Sequence, residues 1–109
     1  MSEYITSRGQ CSHHNLFPGV DIHTFAGQNI MLSFVEFAPH STVEWHSHPH
    51  EQMGLLVEGE LEFFIGDEHQ IARPGDMWQI PGGVRHKVVA GDAPAKALDV
   101  FHPVREDYR

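Results

Sequence analysis

Turn-forming residues cut this chain at short intervals, and that punctuation constrains the fold more than any other feature. From residue 38 onward the breaks are Pro39-His40-Ser41, Pro49, Gly59, Gly66-Asp67, Pro74-Gly75, Pro81-Gly82-Gly83 and Gly91-Asp92-Ala93-Pro94. Each combination favours a turn over a continuing helix or strand. The segments between them are rich in β-branched and aromatic residues. Strands are expected over Ile30 to Phe37, Thr42 to His46, Gln52 to Glu58, Glu60 to Ile65, His69 to Ala72, Met77 to Ile80, His86 to Ala90 and Lys96 to Phe101. In Glu60 to Ile65 (ELEFFI), the residues Leu61, Phe63 and Ile65 share one face by the two-residue period. No segment keeps a helical period over three turns. Short strands at spacings of roughly eight to twelve residues indicate an all-β sandwich or barrel.

At 109 residues and 12.3 kDa the chain suits a single domain with one core. Residues 1–15 carry no apolar period and read as a mobile or loosely docked arm. Met53, Leu55 and Val57 lie opposite Leu56 in their strand, so both faces are apolar there, and a homodimer is expected. Fifteen acids against seven bases give a formal net charge of −8, with the bases scattered; nucleic acid is not an expected partner. The apolar stretches are too short to cross a bilayer. The first ten residues lack the apolar core of a secretory signal, which leads to the expectation of a cytoplasmic protein. The single cysteine, Cys11, agrees, because one cysteine makes no internal disulfide framework.

Ten histidines are the compositional anomaly, about three to four times ordinary usage. Three of them fall in Trp45 to Gln52 (WHSHPHEQ). In an extended segment His46 and His48 share a face, and Gln52 has the same parity, although Pro49 interrupts the strand. Neutral imidazole nitrogen is a strong ligand for first-row divalent metals. Some forty residues on, Gly75 to His86 (GDMWQIPGGVRH) makes two tight turns and delivers His86 to the start of a strand. Three imidazoles and one oxygen ligand would leave coordination positions open, as a catalytic metal requires. Glu51 competes with Gln52 for the fourth position but has the opposite parity. His50 suits a loop or a supporting contact, and His13, His14, His23, His69 and His102 suit the surface.

These residues resemble the two motifs of the small single-domain cupins. His46, His48 and Gln52 match the first motif, and Gly59 closes it; Gly75, Pro81, Gly83 and His86 match the second. The resemblance spans roughly residues 30–105 and implies an all-β double-stranded β-helix, the jelly-roll barrel. It also implies that His46, His48, Gln52 and His86 hold one divalent transition metal ion, nickel, zinc, manganese or iron. His40 stands where the first motif usually opens with glycine, Ala90 where the second often ends with asparagine, and Gln52 where many cupins have glutamate. A neutral amide leaves the full charge of the cation in the site. Such a site suits Lewis-acid work and anion capture better than it suits oxygen activation.

The segment Ala97 to Tyr108 (ALDVFHPVREDY) puts an aspartate among Leu98, Val100 and Phe101. Burial without a partner is costly, so Asp99 should face the site, where a carboxylate can exchange protons with a substrate. With WHSHPHEQ, this ending is similar to that of the cupins acting on 4,5-unsaturated monouronates from pectin and alginate breakdown. That resemblance implies ring opening and ketonisation of a sugar acid, with Asp99 and Arg105 as catalytic groups and Phe101 and Arg105 as substrate contacts. The alternatives are a non-catalytic cupin that binds a sugar or small acid, and an iron-dependent cupin dioxygenase.

Overall fold

The computed structural model describes residues 2–109. Among the described residues ten strands form: β1 (Ser12–Phe17), β2 (Val20–Ala26), β3 (Met31–Phe37), β4 (Thr42–His46), β5 (Glu51–Glu58), β6 (Leu61–Ile65), β7 (Glu68–Ala72), β8 (Met77–Ile80), β9 (His86–Ala90) and β10 (Ala95–His102). The last eight are the strands that the turn residues delimit, with ends displaced by no more than a residue or so. Of the first two, β1 departs from the sequence expectation, and β2 lies in a stretch for which no strand is delimited. Ser12 to Asn15, expected in a loose arm, are hydrogen-bonded to β2 as the edge strand of a sheet. An edge strand needs backbone pairing on one side only, so its polar sequence SHHNLF carries little apolar signal. β2 shows the ordinary alternation, with Val20, Ile22 and Thr24 turned inward.

Two antiparallel sheets face each other. Six strands run in the order β1-β2-β3-β10-β5-β8, and four in the order β4-β9-β6-β7. From β3 to β6 and again from β7 to β10 the chain alternates between the sheets, and it is the all-β jelly roll that the turn pattern and the motifs indicate. The inward residues of both sheets form one core that includes Val20, Ile22, Leu56, Leu61, Phe63 and Ile80. Leu56, Leu61 and Ile80 are at most 1% exposed, and burying each stabilises the fold by roughly 1.5–3 kcal/mol.

His40 adopts φ 61, in the left-handed region that glycine enters at little cost and that histidine visits more readily than most residues. Its N–H donates to Gly91 O at 2.9 Å, closing the turn before β4. The histidine therefore takes the conformation that the motif's usual glycine would take. On the outside of the six-stranded sheet Met53, Val57 and Met77 are about half or more exposed. Among the described residues no helix is long and apolar enough to cross a membrane.

Candidate metal centre

The site begins with a bulge. Val43 pairs with Val88 and His46 with His86, so β4 spends three residues where β9 spends two. The extra residue reverses the parity of β4, which lets His46 face inward like Val43. His86, opposite it, is the first residue of β9 and 1% exposed. His48 belongs to neither sheet; it lies in the connection between β4 and β5. The second motif anchors that connection, because Gly83 N–H donates to His48 O at 2.8 Å. Gly82 lies so close that a Cβ on it would overlap the Pro49 carbonyl oxygen. The Pro-Gly-Gly turn is therefore the clamp that brings residues 46–48 and 86 together.

One ring nitrogen from each of His46, His48 and His86 lies within 4.8 Å of the others. Each ring is oriented by a backbone carbonyl two residues away. His46 Nδ1 pairs with Glu44 O at 2.9 Å, His48 Nδ1 with His50 O at 3.1 Å and His86 Nδ1 with Val84 O at 2.9 Å. A carbonyl only accepts, so each Nδ1 carries the proton and each Nε2 presents a lone pair. Burial lowers the pKa of all three rings, that of His86 to about 4, with further lowering from Arg105 and, for His48 and His86, from neighbouring imidazoles. They are neutral at neutral pH, the form that binds metal.

The residues fit a cation on two further observations. Among the described residues His86 Nε2 is buried with no hydrogen-bond partner, an expensive state for a lone acceptor. Gln52 Oε1 lies 3.0 Å from His48 Nε2; with the His48 proton on Nδ1, both atoms offer lone pairs, and a shared cation resolves that opposition. Gln52 is 7% exposed and faces the interior. Glu51, the competitor, is exposed on β5 and takes no part in the cluster. His50 packs edge-on against His48 at 5.7 Å and offers it the carbonyl, a supporting contact. Of the others, His13 stacks on His23 at 4.6 Å and His69 pairs with Glu62, both away from the site.

Asp99, Phe101 and Arg105 line the same cavity as His46, Gln52 and His86. Desolvation by burial raises the Asp99 carboxyl to about 6, against the lowering effect of hydrogen bonds from Trp78 and Gln52 and of the Arg105 charge. The Phe101 ring is 5.6 Å from the His48 ring. Arg105 is 9% exposed and stacks over Tyr108 at 3.8 Å and Phe101 at 5.1 Å. One Arg105 nitrogen, Nη2, donates to the exposed Asp107 at 3.0 Å, whereas Nε is buried and has no partner among the described residues. A buried guanidinium with a spare donor is a receptor for an anion.

Two residues of this cavity went unrecognised in the sequence. Tyr108 closes it over Arg105, its carbonyl held by His14 at 3.1 Å and by Thr24; no periodic signal marks a residue in a short 3₁₀ turn. Trp78 donates its indole N–H to Asp99 Oδ1 at 2.9 Å. The signal for that contact was Gly54, an isolated glycine within a strand, which marks a close approach.

A family model described as "Cupin domain" matches residues 33–101. The fold superposes on a solved RmlC-like cupin from Shewanella frigidimarina with a TM-score of 0.89, covering 99% of this chain and 97% of that one. At 24% identity that likeness speaks for the fold alone. KdgF from Halomonas sp. matches with a TM-score of 0.84 at 25% identity, covering 93% of this chain and 94% of that chain. In sequence, an "H2HPP isomerase" from Bacillus subtilis is 47% identical over 38 residues, which are 35% of this chain and 15% of the relative's length.

Proposed function

The chain belongs to the cupin family, and from that premise we propose that it opens 4,5-unsaturated monouronates and converts them to their linear keto form. One observation carries the proposal: lone pairs of His46, His48 and His86 converge beside the desolvated carboxyl of half-buried Asp99 and a buried guanidinium, Arg105. The likeness to KdgF along nearly the whole chain supports it, as does the resemblance of DVFHPVREDY to the ending of the monouronate cupins. The Bacillus subtilis relative is named an isomerase, the reaction type proposed here.

The substrate ring has a C4=C5 double bond conjugated to a carboxylate, with the ring oxygen on C5. Loss of the anomeric hydroxyl proton forms the C1 carbonyl and breaks the bond from C1 to the ring oxygen. The electron pair stays on that oxygen as an enolate, and protonation at C4 completes the ketone. Atoms balance within the substrate and nothing is oxidised. Held by the three imidazoles and the Gln52 amide, a divalent cation supplies Lewis-acid stabilisation of negative charge on oxygen. Asp99, with a carboxyl near 6, is mainly ionised at neutral pH yet basic enough to take the hydroxyl proton and return it to C4. Arg105 pairs with the substrate carboxylate through the donor that has no partner of its own. Phe101 walls the ring. The cavity holds about 40 Å³, room for an ion and a few waters, so the sugar ring sits at its mouth.

The test is the ultraviolet absorbance of an unsaturated monouronate, followed with metal-loaded and with chelator-treated protein. Faster decay with the metal-loaded protein alone is the expected result. Identical decay with and without protein would retire the enzymatic reading in favour of a binding cupin, and oxygen uptake during turnover would favour a dioxygenase.

A further inference from the structure

Across the six-stranded sheet, three inward residues lie in one row: Trp78 on β8 pairs with Gly54 on β5, and Gly54 pairs with Asp99 on β10. The outer two are not on adjacent strands. Their side chains meet because the middle strand has no side chain there. A Cβ on Gly54 would overlap the indole Nε1, Cε2 and the Asp99 Oδ1. The indole crosses over the bare backbone and donates to Oδ1 at 2.9 Å. On the other side of Asp99 the register partner is Ser33.

We propose that Trp78 is the positioning residue for Asp99, and that Gly54 is the gap in β5 through which its indole reaches the carboxylate. This rests on the assignment of Asp99 to proton transfer given above. An aspartate has a freely turning carboxyl group, and proton transfer needs one oxygen held in reach of the substrate. The indole N–H fixes Oδ1, and together with the hydrogen bond from Gln52 it restricts how the carboxyl can turn. Trp78 is itself fixed: it is 8% exposed and packs against Phe63 with ring centroids 4.4 Å apart. A rigid donor of this kind orients the carboxylate without entering the reaction.

The test separates orientation from packing. Trp78→Phe keeps a ring in the core and removes the N–H; Gly54→Ala keeps both partners and fills the gap. Each is expected to lower kcat by about 10- to 100-fold with KM changed less than about twofold, at unchanged metal content. Independently of activity, the indole N–H resonance of one of the two tryptophans should move in Asp99→Ala while that of Trp45 stays in place. An indole resonance that does not respond to Asp99→Ala overturns the contact, and a Trp78→Phe protein with parental kcat overturns the positioning role. A shifted resonance in a protein with no activity on unsaturated uronates upholds the contact and places the failure with the substrate assignment.

Discussion

Four strands each run from a packed end to a polar end of the same interior. β4 goes from Val43 to His46, β5 from Leu56 back to Gln52, β9 from Ala90 back to His86, and β10 from Ala95 to Asp99. At the packed end, side chains depend on one another: Leu61 pairs in register with Ala90, and Leu56 with Ala97, each under the opposite sheet. At the polar end each imidazole depends on its own local backbone, through a carbonyl two residues away. Close packing makes the first end sensitive to volume. Local hydrogen bonding makes the second sensitive to chemistry. Stability and activity should therefore come apart along single strands.

The sharpest break is His48→Ala, which is expected to remove bound metal and activity together, as elemental analysis and the uronate assay would show. Without added metal its melting temperature should stay near that of the chelated parent, because the packed end is untouched. Asp99→Asn should keep the metal and lose about 100-fold or more in kcat, the scale of a general acid–base group. Equal turnover in the two proteins would remove Asp99 from the chemistry. At the other end, Leu61→Ala should cost about 2–5 kcal/mol in a denaturant titration while the folded fraction binds metal normally. A metal affinity that fell in step with stability would show that the two ends are one cooperative unit. The smallest effect is expected from Arg105→Ala, a KM raised by about tenfold, the scale of one charge-assisted hydrogen-bonded pair. An unchanged KM would dismiss the carboxylate clamp.

Much of this organisation is legible along the chain. Glycine and proline act on their own backbone and neighbours, so the eight strands from Met31 onward follow from local rules. β1 escaped because its first four residues are polar and only Leu16 and Phe17, at its end, pack against the core. Parity and the two motifs marked His46, His48, Gln52 and His86 as candidates, yet parity alone gave an incomplete account of why they meet. His46 faces inward through a bulge, and His48 is carried by a connection clamped to the Pro-Gly-Gly turn.

The sequence by itself determined the all-β class, the positions of the turns and the residue types available for chemistry, because each of these depends on a residue and its near neighbours. Only the tertiary structure decided what crosses the sheet. Trp78 reaches Asp99 over Gly54 because strands remote in sequence are brought into one register, and the turn that carries Tyr108 is held against β1 and β2 by His14 and Thr24. That register is set by burying the inward faces of two whole sheets together, between strands that are not sequence neighbours.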